Sequence, residues 1–324
     1  MQNLKCIIFS VVLLAFSLNL QAQSKPTPEQ QANKVIGYTN TIIDLCNEAF
    51  KRMKEYPRTW EKSDDYIERV KKGKYDKRFP FSSVFYVNRI QAGYYATFEE
   101  TAKKTSAFPE KDELGKLVAN AKTSVQLLDS ACKRLDRYLT KAQFEQDNKK
   151  YERYDILRDS AVTAWQNSRM AWRILANRTS EVGNNAELII MKKNKGAPFI
   201  IPMKSDISAL ERVVDELYDL ADFETLPADG VATLKTHVAT LQASIAKNKN
   251  LQGKNTALLN NHEVDYTTFY DHAESCLQQL LILVDELVKT KPNNEAINNA
   301  NKRMGDEYSA TVKFYNFLID IIGK

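Results

Sequence analysis

The chain has 324 residues and a formal net charge of +5, with 46 Lys and Arg against 41 Asp and Glu. The two signs are interleaved along the chain, which is the pattern of a solvated surface and excludes a nucleic-acid footprint. Ten glycines and nine prolines are about half the usual share, so a turn-rich β fold is excluded and long helices are expected.

The first element is a leader. Met1 to Lys5 is short and positively charged, Cys6 to Leu20 is almost continuously apolar, and Gln21-Ala22-Gln23-Ser24 supplies a small, polar boundary. These three regions describe a secretory signal peptide over residues 1–22, cut after Ala22 to leave Gln23 at the mature terminus. The apolar run is shorter than the ~20 residues a membrane span needs, so no transmembrane span is expected after cleavage. Cys6 precedes the run, where it cannot serve as a lipid anchor, and a soluble periplasmic or extracellular location follows.

Downstream, Val35, Tyr38, Ile42, Leu45, Cys46, Ala49 and Met53 recur at helical spacing between Pro28 and Pro57. Residues 73–85, with Gly73, Pro80 and several aromatics, read as a loop. After Pro109 the pattern is stricter. Leu114, Ala121, Leu128 and Leu135 lie seven apart, and Val118, Val125, Cys132 and Leu139 form a second row. Two such rows predict a long helix packed nearly parallel to another. A further helix is predicted over 155–179, and shorter ones around 207–217 and 231–245. Phe269, Ala273, Cys276, Leu280, Leu283 and Leu287 repeat the stripe. Ile297, Met304, Tyr308, Thr311, Tyr315, Leu318 and Ile322 continue it after Pro292.

The predicted fold is therefore all-α: an elongated bundle of long antiparallel helices. Its N-terminal half spans 23–182 and its C-terminal half 206–324, both parts of one continuous bundle domain. The connection 183–205 holds two apolar runs around Lys192-Lys193-Asn194-Lys195-Gly196, which fits either a plain linker or a small β-hairpin.

Catalytic signatures are missing from the sequence: no phosphate-binding glycine loop, nucleophile elbow, His-Glu-x-x-His or Cys-x-x-Cys occurs. No enzymatic activity and no organic cofactor is expected. Three cysteines survive leader removal (Cys46, Cys132 and Cys276), and each sits in an apolar stripe, the position of a buried thiol.

Two constellations are candidate sites. His272 and Cys276 lie four apart on one helical face, a spacing that can chelate a divalent metal, with His262 in the preceding turn as a third ligand. Trp165, Arg169, Trp172 and Arg173 place indoles and guanidinium groups along one helix, which fits either a groove for an anionic or glycan ligand or a core stripe edged by arginines.

The run Leu135-Asp136-Arg137-Tyr138-Leu139, then Phe144-Glu145-Gln146-Asp147-Asn148-Lys149, then a helix to Thr179 resembles the YiiG-like family of bacterial envelope proteins. In that family a long helix ends in a tyrosine and an aromatic-x-x-Asp-Asn-type link leads into another long helix. The resemblance spans roughly residues 33 to 322, implies an elongated helical bundle in the cell envelope, and carries over no catalytic residue. The imelysin-like proteins, also exported helical bundles, carry His-x-x-Glu. Here His272 and Glu274 give His-x-Glu, which turns the acid about 100° away around the helix. The expected role is a non-enzymatic bundle that binds or scaffolds an envelope protein or ligand, with a metal-uptake component built on His262, His272 and Cys276 as the alternative. Exposed helix edges also suit a homo-oligomer.

Overall fold

The computed structural model describes residues 26–74, 76, 81–82, 90–147, 151–220, 226–251 and 254–322. The predicted leader and most of the 73–85 loop lie outside these. Among the described residues every regular element is a helix. In chain order they are α1 (Pro28–Met53), α2 (Tyr56–Lys71), α3 (Ala92–Lys104), α4 (Lys111–Thr140), α5 (Glu152–Met191), α6 (Ala197–Leu220), α7 (Ala228–Lys249), α8 (Glu263–Leu287) and α9 (Asn294–Ile322). Single 3-10 turns lie at Gln143–Gln146 and Thr256–Leu259. The all-α class follows.

The chain divides into two compact units, Met1–Glu187 and Leu188–Lys324. In the first, Thr27 opens α1 with a capping box: its hydroxyl accepts the Gln30 amide at 3.2 Å while the Gln30 side chain accepts the Thr27 amide at 3.0 Å. Pro28 then occupies the first turn, where its missing N–H costs nothing. Pro57 ends α1 but opens α2 two residues later. Both helices run antiparallel to α5: Gly183 lies against Thr39, the Trp165 indole reaches Met53, and Asp64 meets Tyr154 and Arg158. Helix α4 is antiparallel to α5 as well, through Glu113–Arg178, Ser124–Ser168 and Arg134–Ser160. The predicted heptad residues of α4 face this packing; all are buried except half-buried Val125.

The second unit is an up-down-up-down four-helix bundle. Glu216–His237 and Asp206–Ser244 pair α6 with α7, Lys235–Asp285 and Lys249–Glu274 pair α7 with α8, and His272–Glu307 pairs α8 with α9. Tyr218–Asn301 returns α9 to α6. Each pair runs antiparallel, as short connections require. The core is one cluster that includes Phe199, Met203, Leu210, Leu217, Tyr266, Phe269, Tyr270 and Leu280. Asp206 is buried in it with its carboxylate satisfied by the Ser244 hydroxyl at 2.6 Å and the Asn248 amide at 2.8 Å.

The 183–205 connection is neither hairpin nor linker along most of its length. Helix α5 continues to Met191, and α6 begins at Ala197 after a five-residue turn. The turn chemistry is real but serves helices. Asn194 accepts the Gly196 amide at 2.7 Å, and a Cβ on Gly196 would meet the Ile322 carbonyl at 2.5 Å. The strand-like run Phe199-Ile200-Ile201 is helical because Phe199, Met203, Ile207 and Leu210 share one buried face at helical spacing. Pro198 fits the first turn of α6, and Pro202 is carried inside it.

Candidate functional site

The two tryptophans of the α5 constellation belong to the core, and its two arginines lie half-buried beside them. In a regular helix the Met53 carbonyl would accept the amide of residue 57, but that residue is Pro57 and has none. The Trp165 indole N–H takes the vacant place, at 3.0 Å and out of water. Arg169 stacks its guanidinium 4.9 Å from the centre of the same indole. Trp172 is 0% exposed, and its indole N–H has no acceptor among the described residues. Arg173 lies half-buried at the edge of this stripe. Both indoles face inward, in the position that the core-stripe alternative gives them.

His262, His272 and Cys276 are likewise not brought together as a ligand set. His262 and His272 are ten residues apart, about 15 Å along the axis of α8. Each imidazole is already held by a carboxylate through Nδ1, His262 by Asp265 and His272 by Glu307, both at 2.6 Å. Their rings lie against Phe317 and Phe314. Cys276 turns inward, donates to the Met304 carbonyl at 3.5 Å, and has its thiol pushed up to about 12 by burial. Among the described residues no group of three or more His, Cys, Asp or Glu side chains is placed to hold a metal ion.

What the structure brings together instead is a groove between α6 and α9. A cavity of about 240 Å³ is lined by Glu211, Val214, Asp215 and Tyr218 on α6 and by Met304, Gly305 and Tyr308 on α9. Residues 211, 214, 215 and 218 share one face of α6, and 304, 305 and 308 share one face of α9. Tyr218 donates to Asn301 at 3.1 Å and ties the two helices together. The floor is apolar: Met304 is buried, and Val214 is partly buried against the core. Both carboxylates are exposed. The Glu211 carboxyl is held above the usual range by loss of surrounding water and then by the Asp215 charge, with Lys204 opposing. Because Glu211 is exposed by area, that shift is modest in energy.

Gly305 adds no side chain to the cavity wall. A glycine inside a helix costs about 1 kcal/mol relative to alanine. Nothing local requires this one, since a Cβ built on it meets no atom within 4 Å. Gly196 is the contrast, where a neighbouring carbonyl forbids any side chain. The unit around the groove is also acidic. Leu188–Lys324 carries 15 Lys and Arg against 18 Asp and Glu, a net −3 within a chain of +5.

No protein-family model, curated protein or solved structure matches the chain.

Proposed function

We propose that the chain is an exported, non-enzymatic binding bundle of the cell envelope, and that its binding site is the α6–α9 groove of the second unit. The leader-like residues 1–22 and the resemblance to YiiG-like envelope proteins support export. Among the described residues, no helix is long and apolar enough to cross a membrane, which is compatible with that reading. The observation that carries the binding role is the groove itself. Gly305 puts no side chain into the cavity, which is flanked by two tyrosines and two carboxylates. At about 240 Å³ it falls below the ~300–1,000 Å³ of drug-sized sites, so the ligand is a small molecule or a single protruding group.

Native mass spectrometry of residues 23–324 after incubation with an envelope extract tests this. Wild type is expected to retain a small molecule that Gly305→Leu, whose side chain fills the groove, does not. A chain that retains nothing, or a variant that retains the same mass equally well, contradicts it.

A further inference from the structure

We infer that the groove takes a small primary alkylammonium ion, its charged head between Glu211 and Asp215 and its apolar body over Met304 and Gly305. This deepens the binding role proposed above and rests on it. Three observations converge. Glu211 and Asp215 are four apart on α6, about 6 Å between their Cβ atoms, a spacing that lets both reach one ammonium group. Among the described residues, Glu211 makes no ion pair. The rings of Tyr218 and Tyr308 flank the same cavity, and aromatic faces attract a cation that has shed part of its water.

The floor sets the rest of the ligand. Buried Met304 and the bare backbone at Gly305 present apolar surface with room for a short chain, which suits an alkyl body better than a second charge. Fields on a larger scale agree. The unit around the groove is net −3 although the whole chain is net +5, so attraction of a cation here is local and not a property of the chain as a whole. Two neighbouring carboxylates also disfavour each other's charge, and an ammonium between them relieves that repulsion. An anion would meet the opposite: two like charges and no facing cation among the cavity-lining residues.

The test is calorimetric titration of residues 23–324 with pentylamine, 1-pentanol and pentanoate, three probes of one size and three charges. Pentylamine is expected to bind at least about tenfold more tightly than either of the others. The double variant Glu211→Gln, Asp215→Asn changes only exposed side chains and keeps the fold; it is expected to bring pentylamine to the level of the alcohol. Gly305→Leu is expected to abolish binding of all three. If pentanol or pentanoate binds as tightly as the amine and is lost in Gly305→Leu, the groove stands and the cation assignment falls. The same holds if no probe binds while the extract ligand is still retained by wild type alone. If neither probes nor extract bind, the binding role falls with it.

Discussion

The indole N–H of Trp165 donates to the Met53 carbonyl that Pro57 leaves without its helical partner. One backbone group orphaned at the α1–α2 break is thus satisfied from α5, 112 residues away in sequence. A buried carbonyl without a donor costs roughly 1–3 kcal/mol, and the indole also fills core volume. Trp165→Phe is therefore expected to lower stability by about 2 kcal/mol in urea unfolding, with ligand retention in the second unit unchanged. A loss below about 0.5 kcal/mol would show that water reaches Met53 and that the indole is not needed there.

Asp64 is the second cross-helix anchor of that unit. It accepts the Tyr154 hydroxyl at 2.6 Å and a bidentate Arg158 at 2.8 Å. Tyr154 is buried, so removing its acceptor is costly, while Arg158 and Asp64 are each about a third exposed and screened by water. Asp64→Ala is expected to cost about 1–2 kcal/mol. Tyr154→Phe in the Asp64→Ala background should then cost little more, and a fully additive double variant would contradict the shared bond.

Gly196, in the turn before α6, and Gly305, inside α9, should respond in opposite directions. At Gly196 a Cβ would approach the Ile322 carbonyl to 2.5 Å, so Gly196→Ala is expected to destabilise by about 1–3 kcal/mol. At Gly305 nothing lies within 4 Å, so Gly305→Ala is expected to stabilise by about 0.5–1 kcal/mol. Thermal melts of the two variants decide this. Equal losses at both positions would mean that Gly305 is structurally required and that the groove is not left open at a cost in stability.

Burial pushes the thiols of Cys46, Cys132 and Cys276 up to about 12. Thiolate, not thiol, is the nucleophile, and all three side chains are closed off from solvent. Native mature protein at pH 8 is expected to leave a disulfide-exchange reagent unreacted over minutes, and denatured protein to release three equivalents. Rapid native labelling of even one thiol would overturn that assignment.

Glu211 gives a pH signature with a definite sign. Loss of water, then the Asp215 charge, raises its carboxyl from the ordinary 4.5. The folded chain thus favours the protonated form. Its contribution is fully present below the unfolded value and is lost as pH rises through the folded one. Glu211→Gln, which stays neutral, is expected to match wild type at pH 3. At pH 7 it should exceed wild type by no more than about 0.5 kcal/mol, given how exposed the carboxyl is. A variant less stable than wild type at pH 7 would mean that Glu211 has a favourable partner.

How much of this is legible in the sequence depends on where each determinant lies. The long helices are local facts. The stripes through Leu114–Leu139, Phe269–Leu287 and Ile297–Ile322 repeat at helical spacing and are buried or half-buried as the pattern requires. The 183–205 segment misleads because Asn-Lys-Gly and paired isoleucines suit a hairpin locally, while the helical burial of Phe199, Met203 and Ile207 is settled only by packing in the bundle. Spacing on α5 shows that Trp165 and Trp172 share a helix, but the partner of the Trp165 indole depends on a proline in another helix. His272 and Cys276 have chelating spacing, yet Glu307 and the Met304 carbonyl, both on α9, claim them first. The groove leaves the weakest trace. Glu211 and Asp215 read alone as a solvated face and Gly305 as a poor helix residue, and only the closure of α9 on α6 gives them a shared cavity.

The most direct test of the α6–α9 groove as a binding site is a methyl spectrum of ¹³C-methionine-labelled residues 23–324 titrated with pentylamine. Met304 forms the floor of the groove, whereas Met53 and Met170 lie in the other unit. The Met304 resonance is expected to shift in a saturable way while those of Met53 and Met170 stay fixed. A Met304 signal that does not move, or one that moves no more than the other two, would contradict it.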